Sequence, residues 1–434
     1  VDLFGDIHAT GVRVDYLNPM KAVDNVSAQV LLYPDKVHII ADKGNIDSLI
    51  LKKADLLFTD LDKDDSWLQI DLDVSGPVTE ALELISSKPL EFPQMFNLKP
   101  SMISGKAKAL VHLSFPLLET LKTEDVQAIV HADITQAKIN KPLQNWGLKN
   151  GTLTLDVTNE GMEVAGEITM KNSPLRVFWH EYFGAAEKTS DYALSGLVQT
   201  ADLVELLPDL KPWMKGKIGL DLTAFKDKKD LYSGTLKLDG ELTRVDFLPL
   251  AVQKKSGNPM KATLKFENAG KEQGFVSWDI AGSLADKKED LKITGSADWS
   301  KQNLHFLLSQ VLAGVNQFSG ELNASDADFT LTLKGKNWLA YDLSKISFAG
   351  NSDSVQSKVS PDIKLDITLD TLTLNKNMPF TNVSVAGVRQ NNLWQSFHAQ
   401  AVASEPFVLI YDAKQNQFQG SFSDLGGFIG SPHH

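Results

Sequence analysis

His180-Glu181 starts like the helix of a zinc protease, in which a histidine, a glutamate and a second histidine four positions after the first hold a metal on one helix face. Position 184 is Gly184, so the second ligand is missing and the motif fails. Asp60-Leu61-Asp62-Lys63-Asp64-Asp65 sets carboxylates at alternate positions, as a calcium loop does. The sixth position carries Asp65 where that loop turns on glycine, and the twelfth carries Asp71 in place of a bidentate glutamate. A solvated turn between strands is the better reading. His8, His38, His112, His131, His305 and His398 stand singly in strand-like segments, without the short spacings of a ligand set, and read as surface or packing residues. No Gly-x-Ser-x-Gly elbow, Gly-x-Gly-x-x-Gly turn or phosphate-binding loop occurs, and the chain has no cysteine to serve as ligand, nucleophile or disulfide partner. The chain reads as non-enzymatic, with no metal and no cofactor.

The densest aromatic run, Val177-Phe178-Trp179-His180-Glu181-Tyr182-Phe183, suits an interfacial contact or a gate, because Trp and Tyr tolerate a half-wet setting. Ordinary packing at the end of a strand explains it more simply. Trp67, Trp146, Trp213, Trp278, Trp338 and Trp394 are spread singly, as core anchors are.

Apolar residues at every second position are the feature that repeats. Thr152 to Val157, Thr235 to Leu238, Phe329 to Leu333 and Ile363 to Leu369 each alternate aliphatic and polar side chains, which gives a strand one apolar face and one wet face. With few helices to cover such strands, either two sheets close on each other or the apolar faces are covered by something that is not protein. The aliphatic positions Leu153, Leu155, Val157, Leu236, Leu238, Leu331, Leu333, Ile363, Leu365, Ile367 and Leu369 are the candidate lining of an apolar groove.

Turn signals recur at Asp35-Lys36, Lys43-Gly44-Asn45, 62–65, Asn150-Gly151, 159–161, 227–230, 286–290 and 375–377. Spacings of about 8 to 12 residues predict an all-β meander of roughly 25 to 35 strands. At ~4.8 Å per strand, even half of them in one sheet would exceed the width of a bilayer. Helices are predicted over 77–86, with Pro77 at the first helical position, and over 200–207, with Thr200 as N-cap. Residues 303–315 carry both periods and are read as strand from their surroundings. Glycines within strands, as in 161–168 and 275–282, and the change of apolar parity at Asp370-Thr371, predict bulges in a curving sheet. The fold class expected is mainly β: a long, curved, antiparallel-rich sheet forming an open apolar groove, with few short helices and approximate sub-boundaries 1–90, 91–210 and 211–434.

A net charge of −12, with 42% hydrophobic and 23% charged residues, describes a folded chain. No basic stripe interleaved with aromatics appears, which excludes nucleic acid as a natural partner. The lack of cysteine suits an oxidising envelope compartment. No stretch reaches the ~18 to 20 apolar residues of a membrane span, and no signal peptide opens the chain. The chain starts at Val1 rather than methionine and closes Ser431-Pro432-His433-His434, like part of a tag, so it is expected to be a soluble piece of a larger protein.

Asn18-Pro19-Met20-Lys21-Ala22-Val23-Asp24-Asn25-Val26-Ser27-Ala28, followed by Gly44, Ala54-Asp55-Leu56 and Leu72-Asp73-Val74-Ser75-Gly76-Pro77-Val78, resembles the AsmA-like superfamily, and more narrowly the YhdP-like proteins. Lys88-Pro89-Leu90, Ser104-Gly105-Lys106-Ala107 with Phe115-Pro116-Leu117, Phe178 to Phe183, Lys254 to Pro259 and Phe422-Ser423-Asp424-Leu425-Gly426 continue the resemblance in order over nearly the whole chain. It implies a periplasmic protein, anchored in the inner membrane by an N-terminal helix not contained here, that carries phospholipid acyl chains along a groove between inner and outer membranes. It also implies a further domain after Gly426. The alternatives are a structural or scaffolding envelope β-protein without lipid cargo, and a hydrolase or carbohydrate-binding β-protein, which would need clustered carboxylates or aromatics on one exposed face.

Overall fold

In the computed structural model the described residues are 4–16, 19–63, 65–87, 99–118, 120–122, 125–140, 147–184, 187–203, 213–284, 290–340, 361–374, 379–403 and 406–422. They form 26 strands and only two α-helices, the mainly β architecture that alternation predicts. The chain divides into two compact units, Val1–Leu197 with Phe225–Lys228, and Val198–Ala224 with Lys229–His434.

The first unit is an antiparallel meander. Its strands are β1 (Gly5–Val14), β2 (Val23–Leu32), β3 (Val37–Ile46), β4 (Leu49–Thr59), β5 (Trp67–Pro77), β6 (Ile103–Pro116), β7 (Gln127–Asn140), β8 (Gly147–Thr158), β9 (Gly161–Met170), β10 (Ser173–Tyr182) and β11 (Lys188–Gln199). Each pairs antiparallel with the next. Helix α1 (Val78–Ser86) interrupts the meander between β5 and β6, with Pro77 at its N-cap and Val78 buried. It is tied down by Thr79, whose Oγ1 donates to Ile103 O at 2.7 Å, and by Glu80, whose Oε2 accepts from Ser48 N at 3.0 Å.

The second unit holds β12 (Met214–Asp227), β13 (Tyr232–Asp239), β14 (Thr243–Phe247), β15 (Val252–Lys254), β16 (Met260–Ala269), β17 (Gly274–Gly282), β18 (Leu291–Trp299), β19 (Asn303–Ala313), β20 (Asn316–Ser325), β21 (Asp328–Ala340), β22 (Asp362–Leu374), β23 (Pro379–Gln390), β24 (Leu393–Val402), β25 (Pro406–Asp412) and β26 (Gln417–Phe422). β13 pairs with β16, and from β16 to β26 each strand pairs with its successor. All these pairs are antiparallel except β21–β22, which is parallel and is joined through residues 341–361, the long connection that a parallel pair requires. β14 stands apart, pairing with β12 and β15 in a small ladder of its own.

That small ladder is a cap. Phe247 and Leu250, with Val252, pack into a cluster with Leu291, Val311, Phe318, Leu333, Leu369 and Val383, all contributed by one end of the larger ladder. Polar anchors hold it in place: Trp338 Nε1 donates to Pro249 O at 3.1 Å, and Asn316 Nδ2 donates to Leu250 O at 2.5 Å while its Oδ1 accepts from Leu339 N at 2.6 Å. Lys254 is 1% exposed. Its ammonium donates to Gly240 O and Thr243 O at 2.8 Å and to Lys255 O at 3.1 Å, which offsets much of the cost of burying a charge. Burial pushes its pKa below the usual lysine range.

Two of the expected turns prove to be strand. Lys43-Gly44-Asn45 lies inside β3, where Gly44 admits the side chains of Val23 and Leu51, and the chain reverses instead after Ile46, at Asp47 with φ 48°. Asn150-Gly151 lies inside β8, where Asn150 takes φ 56° and the register with β9 shifts between Lys149 and Thr152; it is a bulge, which asparagine tolerates. At Asp370-Thr371 the pairings with β21 and β23 continue without slip, and Asn382 on β23 takes the left-handed conformation at φ 52° instead. The second helix, α2, is Thr200–Leu203; Thr200 is its first residue rather than its cap, and its Oγ1 donates to Gly216 O at 3.1 Å. Residues 303–313 form β19, as read. The turns at 286–289 and 375–377, the rest of 200–207, Trp146 and 423–434 lie outside the described residues.

Candidate functional site

Residues directly opposite in neighbouring strands share a face, so the register alone assembles the site. In the first unit one row runs Ala28, Ala41, Ala54, Leu72, Val111, Val130, Val157 and Met162 from β2 to β9. A second runs Val74, Ala109, Ala132, Leu155, Val164, Trp179 and Tyr192 from β5 to β11. Among the paired residues of this face Glu181 is the one charged side chain. Its Oε2 accepts from Trp179 Nε1 at 2.9 Å and from Ser190 Oγ at 2.6 Å.

The second unit repeats the pattern. Leu236 faces Leu264 and Leu264 faces Trp278; Phe306 faces Leu322, Leu322 faces Leu331 and Leu331 faces Leu365. All eleven sequence-predicted lining positions fall on these two apolar faces: Leu153, Leu155 and Val157 in the first unit, the other eight in the second. Their accessibility differs. Leu155, Val157, Leu236, Leu238, Leu331, Ile363, Leu365 and Ile367 are half-buried, whereas Leu153, Leu333 and Leu369 are buried and belong to packing.

The half-buried state matters chemically. In a closed sandwich such residues meet an opposing sheet and lose nearly all their exposure. Here Val30, Ile39, Leu56, Ile70, Leu113, Val130 and Ile134 in the first unit all keep part of theirs. An apolar surface of this kind has affinity for apolar matter.

The carboxylate–histidine pairs lie on the opposite face. Asp55 stands directly opposite Asp71, and Asp156 opposite Glu163, arrangements in which like charges repel. A histidine answers each carboxylate: His38 Nε2 lies 2.7 Å from Asp55, His112 Nδ1 2.8 Å from Asp71, His131 Nδ1 2.6 Å from Asp156, and His180 Nδ1 3.7 Å from Glu163. The hydrogen bond and charge of Asp156, with Asp133 adding, hold the His131 pKa above the usual histidine range. His305 pairs in the same way with Glu321 at 3.0 Å. Among the described residues no group of three or more such side chains is placed to hold a metal. The aromatic run of 177–183 divides by parity, Trp179 on the apolar face and Phe178, His180 and Tyr182 on the polar one.

Sequence reasoning missed an aromatic shelf at the end of the second unit's apolar face. Trp394 and Phe397 meet edge to face at 5.0 Å, and Phe418 lies 5.6 Å from Phe397 and 5.2 Å from Tyr411. Gly387 makes room for it, since a Cβ there would come within 2.8 Å of Phe397 and 2.9 Å of Trp394. The signal was present in the parity of Trp394, Tyr411 and Phe418, but only pairing brings the three strands together.

Among the described residues no helix is long and apolar enough to cross a membrane. A family model described as YhdP protein matches residues 3–422. No curated protein and no solved structure matches the chain.

Proposed function

The chain belongs to the YhdP family, and from that premise we propose that it is a periplasmic bridge-like carrier that moves phospholipid between inner and outer membranes along its apolar sheet faces. The observation that carries the proposal is the half-buried aliphatic surface running strand after strand in both units. An acyl chain in water costs about 0.8 kcal/mol per exposed methylene, so a ~16-carbon chain faces more than ~10 kcal/mol. Laid along Leu331, Leu365 and their neighbours it escapes most of that cost while its headgroup stays in solvent. Successive rows present nearly the same surface, so no position holds the chain tightly and it slides. Shape and apolarity suffice for this, with no acid, base or nucleophile taking part.

The test is photo-crosslinking in cells, with the crosslinker placed in turn at Leu365, half-buried on the apolar face, and at Lys364, exposed on the other. Phospholipid attached at Leu365 but not at Lys364 is the expected result. Lipid at neither position would defeat the carrier reading for this segment and favour a structural envelope role.

A further inference from the structure

The paired strands β16 to β26 present an apolar face broken by a single charge, Arg389. It stands on β23 opposite Ile363 of β22 on one side and opposite Trp394 of β24 on the other. An arginine among aliphatic and aromatic side chains needs acceptors for its five N–H groups, or it bears the cost of desolvation. Nη2 donates to Pro361 O at 3.2 Å, the carbonyl just before β22 begins, which sets the guanidinium at the margin of the face. Nε is buried with no hydrogen-bond partner, and among the described residues no carboxylate pairs with the side chain. Asp362 is turned to the other face, where it stands opposite Asp328 and its Oδ1 accepts from Asn391 N. Glu181, the corresponding lone charge on the first unit's face, has both of its donors in place.

We infer that Arg389 is the contact for a phospholipid headgroup phosphate, with the aromatic shelf of Trp394, Phe397 and Phe418 taking the glycerol region and the acyl chains lying over Ile363 and Leu365. The inference rests on the carrier reading and adds to it one place where the headgroup is held. Three observations meet there: a planar fork of donors matched to phosphate, an incompletely paired guanidinium, and an aromatic cluster that includes the amphipathic indole of Trp394, a ring of the kind that settles between apolar and wet surroundings. The margin is also where the chemistry of a lipid changes from tail to head. Arg389 thus makes this segment selective for lipids that carry a phosphate.

The experiment measures binding of two acyl-labelled lipids with identical chains, phosphatidylglycerol and diacylglycerol, to the purified chain. Wild type is expected to prefer phosphatidylglycerol. Arg389→Gln should lower that affinity about tenfold or more, the usual worth of a charge-assisted hydrogen bond, and leave diacylglycerol binding unchanged. Arg389→Lys should restore part of the preference, and inorganic phosphate at millimolar concentration should not abolish it. Equal binding of the two lipids by wild type, or equal losses for both in Arg389→Gln, would overturn the headgroup contact while leaving the carrier reading standing. Loss of the preference to inorganic phosphate would assign the residue to the free ion instead. Binding of neither lipid would sink the carrier reading and this contact with it. Thermal unfolding establishes that Arg389→Gln is folded; if it is not, the wild-type preference and Arg389→Lys decide the matter.

Discussion

Leu365 and Leu369 share β22, share its apolar face and lie four positions apart, yet Leu369 is 1% exposed and Leu365 remains half-buried. The same gradient runs along β21 from Phe329 to Leu333 and along β19 from Phe306 to Val311. One end of each strand lies under the cap built from Phe247, Leu250 and Val252, and the other does not. The strand pattern is identical at both ends, so it is the cap that separates a packed core from an apolar surface still available to a ligand. The first unit shows a related contrast, with Ile168, Met170 and Leu175 buried and Leu155, Val164 and Leu194 only half-buried.

Leu369→Ala should break the covered end and cost about 2–5 kcal/mol, because the cavity cannot collapse between strand and cap. Leu365→Ala should cost less than half as much; equal losses in denaturant unfolding would abolish the distinction between the two ends. The cap's anchors test the same boundary. Asn316→Leu strands the acceptor Leu250 O and the donor Leu339 N, a loss of about 2 kcal/mol, and hydrogen exchange at the Leu339 amide should speed up.

Leu365→Gln sharpens the comparison from the other side. A polar substitution at a half-buried site should change stability by about 1 kcal/mol or less, yet it should reduce lipid crosslinking at neighbouring positions. If it costs as much stability as Leu369→Ala, the open end is core after all. The smallest effect concerns the polar side of the first unit. His131 titrates above the usual histidine range because Asp156 favours the charged ring, so its contribution to stability is full below the unfolded-state value and is lost as pH rises through the folded-state value. An NMR titration should show the raised midpoint, and Asp156→Asn should lower it.

Period-two alternation made the faces legible, since strand side chains alternate strictly: Leu331, Leu333, Ile363 and Leu365 all stand where their parity puts them. Pairing was not legible. Asp55 opposite Asp71 and Leu331 beside Leu365 come from segments with no mutual signal, and the parallel step from β21 to β22 has no mark in local sequence. The bulge at Asn150 was mistaken for a turn because both use an asparagine in the left-handed conformation.

The sequence by itself determined which residues of the alternating segments share a face and that the chain is nearly all strand, because each follows from local geometry repeated every two residues. Only the tertiary structure decided which end of a face is covered. It also left Arg389 without a partner for Nε and brought Trp394, Phe397 and Phe418 together beside it, because cover and contact depend on segments distant in sequence that meet only when the strands pair.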